Sequence, residues 1–396
     1  MLCIQKNTTI RTILFLMYDV MNSEVIKAKS KEKRFSHYYW SILFVLILTL
    51  WTGYLAQRPI YNWDMIAYSG VVLSYSNDSP QDVHRQVYEM VDNEVPSGNR
   101  DYLRSGEYRL RCERDSDYYS NELVFYQVKP LYTMLVYGLN QLGVPLLKST
   151  YLVSILSYWL ICIFCFFWLK RMNLIAFLLS LLIMFSFPMI SLATYSTPDC
   201  LSTLCLLLIY EAVLNRRNLI LVWGLCALAV LARIDNLIFA MVFLVFSQFR
   251  NIHSPWFFRR SHFVFVGLFL VLIGSFFFLP ALLGDPADGL HFFDLLAHFK
   301  SWIDYSDLLR ESFFAIIDSG MMVFVAITVI TYKFLLPSHQ SLLKIVLIGM
   351  ILRFILFPAF QERFFIHFEI LTYILLFNLV DTKINKSSKD ELNALV

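Results

Sequence analysis

The chain has 396 residues, 58% of them hydrophobic and only 16% charged, with a mean hydropathy of +0.59. Soluble globular chains are nearer half apolar and a quarter charged, so this composition points to a polytopic membrane protein and excludes an ordinary soluble one. The net charge of +3 is small, and its basic residues sit in short groups between apolar runs, which excludes a nucleic-acid surface.

Residues 13–20 form an apolar piece too short to span and without a small-residue cleavage site, so they do not read as a signal peptide; Met1 and Met21 both remain candidate starts. Lys27, Lys29, Lys31, Lys33 and Arg34 precede the first long apolar run, at about 39–56, and place that end in the cytoplasm by the positive-inside rule. Residues 1–38 are therefore expected as a cytoplasmic segment. The chain then emerges outside into a large polar loop, 57–150. Its stretch 58–128 is rich in charge and tyrosine, and loops of this length carry structured elements and function.

Within that loop, residues from Lys129 to Gly143 predict a short helix along the outer membrane surface, with Pro130 in its first turn and Gly143 at its stop. The later apolar runs fall at about 151–169, 173–192, 200–214, 218–232, 237–249, 263–282, 321–336, 342–357 and 365–380. With the first run they predict an all-α integral membrane protein of about ten transmembrane helices, spanning 39–380, with a cytoplasmic tail at 381–396. The charges agree with this topology. Lys170-Arg171, Arg216-Arg217, Arg250 with Arg259-Arg260, Lys333 and the tail lysines Lys383, Lys386 and Lys389 fall inside. Asp199, Asp285, Asp288, Asp294 and Asp304 fall outside. A second outer segment, 284–320, contains a surface-helix pattern at 291–317. The runs 218–232 and 237–249 are too short for a perpendicular span, so their turn, Arg233-Ile234-Asp235-Asn236, is expected in a cavity at the outer part of the membrane.

Five of the seven cysteines, Cys162, Cys165, Cys200, Cys205 and Cys226, lie in apolar runs and read as small buried hydrophobes, and Cys112 stands alone in the outer loop. His291, Asp294 and His298 share one helical face, which a metal could use but which surface helices also carry without one. No phosphate-cradling glycine loop, HExxH or GxSxG element is present.

The chemistry-bearing residues gather at outer ends of runs. Asp64 lies between Trp63 and the tyrosines Tyr61 and Tyr68. It is either a base beside a sugar-stacking aromatic group or a solvated helix cap in an interfacial belt. Asp199 follows Thr197-Pro198, a good helix start, and is either a second acid or ligand, or simply a favourable N-terminal charge. Arg233 and Asp235 either line a cavity or neutralise each other. Arg353 lies inside an apolar run and Arg363 at its outer end. Arginine forks suit phosphate, although Arg363 could equally be a snorkelling anchor.

The order of these elements resembles the GT-C superfamily of polytopic membrane glycosyltransferases, with protein O-mannosyltransferases and lipid A aminoarabinose transferases the most similar groups. Trp63-Asp64 resembles the superfamily's first-loop acid. Lys129-Pro130-Leu131-Tyr132 is similar to the start of its juxtamembrane helix, Leu231 to Asn236 to its charged hairpin turn, and Glu362-Arg363-Phe364 to its last outer element. The likeness runs over about 40–380. Ile234 stands where a proline is usual and Phe364 where a tyrosine is. No soluble domain is read after the last run, so acceptor recognition is expected from the two outer segments.

The resemblance implies transfer of a sugar from a polyprenyl-phosphate-linked donor to a glycan, lipid or protein acceptor. It implies Asp64 as the catalytic carboxylate and Arg363 as a donor phosphate contact. Trp63, Tyr68, Lys129, Asp199, Arg233, Asp235, Arg353 and Glu362 are then expected to bind substrate. No metal ligand set is assigned, although some members use a divalent cation and Asp64 with Asp199 could hold one. The expected place is a bacterial inner membrane with the site on the outer side. Rival readings are a polymerase or ligase acting on diphosphate-linked glycans, and a transporter or lipid flippase.

Overall fold

A computed structural model describes residues 38–76, 79–169, 173–215, 217–249, 267, 302–356 and 361–394. The described residues are helical apart from turns and one isolated parallel bridge between Ile60 and Tyr195. Helix α1 is Tyr38–Leu55. The outer loop then folds into α2 (Trp63–Ser74), α3 (Pro80–Glu94), α4 (Ser97–Arg104), α5 (Glu107–Arg114), α6 (Ser116–Gln127) and α7 (Pro130–Gln141). After α8 (Leu146–Trp168) come α9 (Asn173–Met184), α10 (Phe187–Thr194), α11 (Asp199–Leu214), α12 (Leu219–Ala232) and α13 (Asn236–Phe249). The last group is α14 (Trp302–Asp318), α15 (Met321–Thr331), α16 (Pro337–Leu356) and α17 (Ile366–Ala394).

The outer loop has its own core. Val83, Val87 and Val91 line one stripe of α3 and pack with Trp63, Leu103, Cys112, Tyr119 and Leu123. Burying a valine of this kind contributes about 1.5–3 kcal/mol. Each helix of the unit starts on local signals. Ser79 caps α3, with Pro80 in the first turn, and the Asp115 carboxylate accepts from the amides of Asp117 and Tyr118 at the head of α6. Helix α7 begins at Pro130 and ends before Gly143, which adopts φ of 89°, as the pattern predicts. Its Met134, Leu135 and Leu142 are exposed, an apolar face suited to a lipid surface.

Among the described residues three helices, α1, α8 and α16, are long and apolar enough to cross a membrane, and up to five spans result if each bent pair is counted as one. This is fewer than the ten expected, for identifiable reasons. The expected run 173–192 is broken into α9 and α10, bent by 54°, with Pro188 inside the first turn of α10. The run 321–336 is an eleven-residue helix closed by a 3-10 turn and set at 73° to α14. Helices α12 and α13 have 14 residues each, about 21 Å of rise against a core of about 30 Å. The run 263–282, the face His291–Asp294–His298, and the segment before residue 38 lie outside the described residues. Two boundaries also shift: α8 begins at Leu146, and α17 continues past 380 into the segment read as a cytoplasmic tail.

Packing around α11 positions the site, because α8, α12, α16 and α17 all lie against it. Helix α13 meets α16 at Gly349, where a Cβ would stand 2.6 Å from the Phe239 ring. One turn on from that close approach, Arg353 reaches the α12–α13 turn. Between α11 and α17 the Tyr210 hydroxyl and His367 Nδ1 share a buried hydrogen bond of 2.7 Å, which places His367 in the core as expected. Gly349→Ala should therefore push α16 off α13 and cost about 1–3 kcal/mol, as overpacked core sites do. Thermal unfolding in detergent checks this, and an unchanged midpoint would contradict it.

Candidate functional site

The site is built from the stretch between α1 and α2. The amide of Ile60 donates to the Thr194 carbonyl at 3.1 Å, and the Asn62 Oδ1 accepts from the Ser196 amide at 3.2 Å. These bonds strap the start of α2 to the segment between α10 and α11. That segment is itself held by α8, whose Thr150 donates to the Ser196 hydroxyl at 3.0 Å and whose Ser154 donates to the Thr197 carbonyl at 2.9 Å. Asn62 stands at the N-cap position of α2 but does not cap it. Its Nδ2 instead donates to Asp64 Oδ2 at 2.8 Å, while the Tyr126 hydroxyl donates to Oδ1 at 3.1 Å. Both carboxylate oxygens of Asp64 are thus oriented, and its side chain keeps 26% of its exposure.

From Asp64 an alternating series of charges runs inward. An Arg363 Nη lies 3.8 Å from Asp64, and its Nε lies 3.2 Å from Asp199. Asp199 also pairs with Arg233. Arg233 forks onto Asp235 at 2.9 and 3.0 Å, and Asp235 receives Arg353 at 2.8 and 2.6 Å. Residues from α2, α11, the α12–α13 turn, α16 and the 3-10 turn Glu362–Phe364 are thereby joined. The two outer members are the most exposed. Arg363 keeps 27%, whereas Asp199, Arg233, Asp235 and Arg353 keep 2%, 14%, 12% and 5%. Asp199 sits in the first turn of α11, where the helix dipole favours an acid. Asn236 locks the turn by donating to Ser202 and to the Ala229 carbonyl, each at 2.7 Å.

Lys129, at the N-cap of α7, projects toward the same region over the rings of Tyr126 and Tyr68, at 4.7 and 5.3 Å. Burial, with the Arg233 guanidinium second, pulls its ammonium down to about 8. The lysine therefore titrates near physiological pH rather than far above it.

Several expectations of placement change. Trp63 and Tyr68 are buried, and their rings meet Tyr108, Tyr126 and Tyr132 edge-on. A stacking face for a sugar is not offered by either, because the outer loop's core needs both as packing. Glu362 is half-exposed in its 3-10 turn and takes no part in the described ion pairs, since the turn directs Arg363 inward instead. Three residues belong to the site that sequence patterns did not single out: Asn62, Tyr126 and Phe364. An amide and two aromatic residues carry no charge signal in an aromatic-rich chain. All three stand beside marked residues, Asn62 before Trp63-Asp64, Tyr126 before Lys129-Pro130 and Phe364 within Glu362-Arg363-Phe364.

Among the described residues no three His, Cys, Asp or Glu side chains gather as metal ligands do. Asp64 and Asp199, which the resemblance offered to a divalent cation, instead share the guanidinium of Arg363. That arrangement does not fit a metal held between them. The six described cysteines, Cys162 and Cys165 included, are buried free thiols.

The arrangement can do two things chemically: hold an anion beside Arg363 and Lys129, and accept a proton at Asp64. No family model, curated protein or solved structure matches the chain.

Two outcomes follow. Affinity for a phosphate-bearing ligand should fall as pH rises through about 8, because Lys129 is cationic below that value and neutral above it. Lys129→Arg should remove this dependence while retaining affinity, as read by a binding titration against pH. Asp235→Asn leaves the buried Arg353 guanidinium without a carboxylate and takes one of two from Arg233, and should cost about 3–5 kcal/mol. Asp64→Asn, at the exposed end, should cost about 0–1 kcal/mol. Thermal unfolding of the two variants side by side tests the ranking.

Proposed function

We propose that this protein is a membrane glycosyltransferase of the GT-C type, moving a sugar from a polyprenyl-phosphate donor to an acceptor hydroxyl on the non-cytoplasmic face. The observation that carries this reading is the meeting of Asp64 and Arg363 at the accessible end of a buried charge series. Displacement at an anomeric carbon needs a base within reach of the acceptor and a cation within reach of the departing phosphate, on opposite faces of the sugar, and the presence of Asp64 and Arg363 at one accessible end supports this reading. The short helices α12 and α13 and the run 263–282 are read as further crossings, completing about ten with both termini inside.

In the proposed reaction the acceptor oxygen attacks the anomeric carbon from the face opposite the phosphate. Its bond to that carbon forms as the carbon–oxygen bond to phosphate breaks, and the configuration inverts. Asp64 takes the acceptor's proton. Asn62 and Tyr126 hold its two oxygens, so the carboxylate is presented in one orientation. Arg363, with Lys129, receives the charge that develops on the departing phosphate. The outer loop α2–α6, whose first and last helices carry Asp64 and Tyr126, is where the acceptor would bind. A bacterial inner membrane is the proposed setting.

A second reading draws on a separate observation. Two helix pairs are bent by 54° and 73°, and broken helices are common in transporters. The α9–α10 break leads directly to Tyr195–Asp199. In that case the cluster would bind a lipid phosphate for translocation and no bond would break.

Asp64→Asn should reduce sugar transfer by about 10²–10⁴-fold, the range for losing a general base, while leaving the unfolding midpoint near that of the parent. Transfer is measured with a radiolabelled polyprenyl-phosphate sugar in proteoliposomes. Full transfer by a well-folded Asp64→Asn protein would remove the assignment. Lipid movement without sugar transfer in the parent protein would favour the second reading.

A further inference from the structure

All three arginines of the series meet the Phe364 ring. The Arg233, Arg353 and Arg363 guanidinium carbons lie 4.2, 4.5 and 5.4 Å from its ring centroid. The three come from the α12–α13 turn, α16 and the 3-10 turn, so nothing local in the chain brings them together. Like charges gathered this closely repel one another. Asp64, Asp199 and Asp235 offset that repulsion, three carboxylates against three guanidiniums. An aromatic face stabilises a desolvated guanidinium through its quadrupole, and it does so without using an N–H donor.

One donor is visibly left over. Arg353 spends Nε and Nη2 on Asp235, yet among the described residues its buried Nη1 has no hydrogen-bond partner. The same side chain lines a small polar cavity with Asp199, Asp235, Ser202, Arg233 and Phe364. A buried charged donor without a partner is costly, and a water in a polar cavity of that size would satisfy it.

We infer that Phe364 is a positioning residue whose ring gathers the guanidiniums of Arg233, Arg353 and Arg363 into one fixed arrangement and so presents Arg363, its accessible member, to an anion. The ring supplies no atom to the reaction. It acts through the arginines, by keeping them charged, spaced and free to donate. The inference rests on the proposed function for the identity of the anion, a lipid-linked phosphate, but its geometric part stands apart from it.

The test uses the full chain in detergent, with mono-, di- and trifluorinated phenylalanine placed at position 364. Fluorination leaves the ring's shape nearly intact and drains its negative face, so a packing role would not respond to it. Two readouts are taken. In the ligand-free protein, phenylglyoxal labelling of Arg363, scored by mass spectrometry, should rise with each added fluorine. Affinity for a polyprenyl monophosphate in mixed micelles should fall in parallel, by about tenfold for the trifluorinated ring, within the range of desolvated cation–π contacts. Phe364→Leu should match the trifluorinated protein, and Phe364→Tyr should resemble the parent.

Labelling that does not change across the fluorine series overturns the inference, whatever the lipid does. Affinity that does not change in a protein that binds the lipid overturns it as well. Labelling that rises in a protein that never binds the lipid supports the platform and removes the donor from the proposed function.

Discussion

The structure depends on carboxylates shared between guanidiniums in a place with little water. Asp199 bridges Arg363 and Arg233, and Asp235 bridges Arg233 and Arg353. A single buried ion pair returns little net stability, because desolvation offsets its attraction. A shared series behaves differently. Each acid serves two cations, each cation keeps hydrogen bonds in its plane, and loss of any member leaves a buried charge uncompensated. The series therefore acts less as a source of stability than as a specification. It ties α11, the α12–α13 turn, α16 and the last 3-10 turn into one arrangement, since any other strands a charge.

The rest of the fold can be understood as what delivers these groups to one place. Gly349 lets α16 approach α13 closely enough for Arg353 to reach Asp235. Asn236 holds the short hairpin turn on α11. Thr150 and Ser154, one turn apart on α8, grip the Ser196 hydroxyl and the Thr197 carbonyl just before Asp199. Asn62 then carries that order across to Asp64 through its amide, accepting on one side and donating on the other. The gradient of exposure matters as much as the contacts. The inner members are sealed and fixed, whereas Asp64 and Arg363 remain accessible, so chemistry is confined to one end of a rigid support.

The aromatic residues divide into two roles that composition cannot separate. Trp63, Tyr68 and Tyr132 are packing for the outer loop and its seat on α7 and α8. Tyr126 and Phe364 meet charges directly. Both kinds lie within a few residues of a marked motif. An aromatic ring beside a carboxylate or an arginine in the sequence says nothing about which face it turns to whom.

Much of the outline was legible in the chain itself. Apolar runs bounded by proline, glycine and charge located most helices, and Asp64, Lys129, Asp199, Arg233, Asp235, Arg353 and Arg363 stood out because ionised groups at run ends are expensive unless used or paired. Helix starts, caps and the surface helix α7 follow from such local signals, which is why the sequence by itself determined them. The breaks in two runs, the burial of Trp63 and Tyr68, and the roles of Asn62, Tyr126 and Phe364 were decided only in the tertiary structure. Hydropathy measures how apolar a stretch is but not its direction in space. Beyond the neighbouring pair Arg233 and Asp235, which acid meets which arginine depends on helices that are separate in the sequence, Asp235 and Arg353 being 118 residues apart, and no local pattern encodes that meeting.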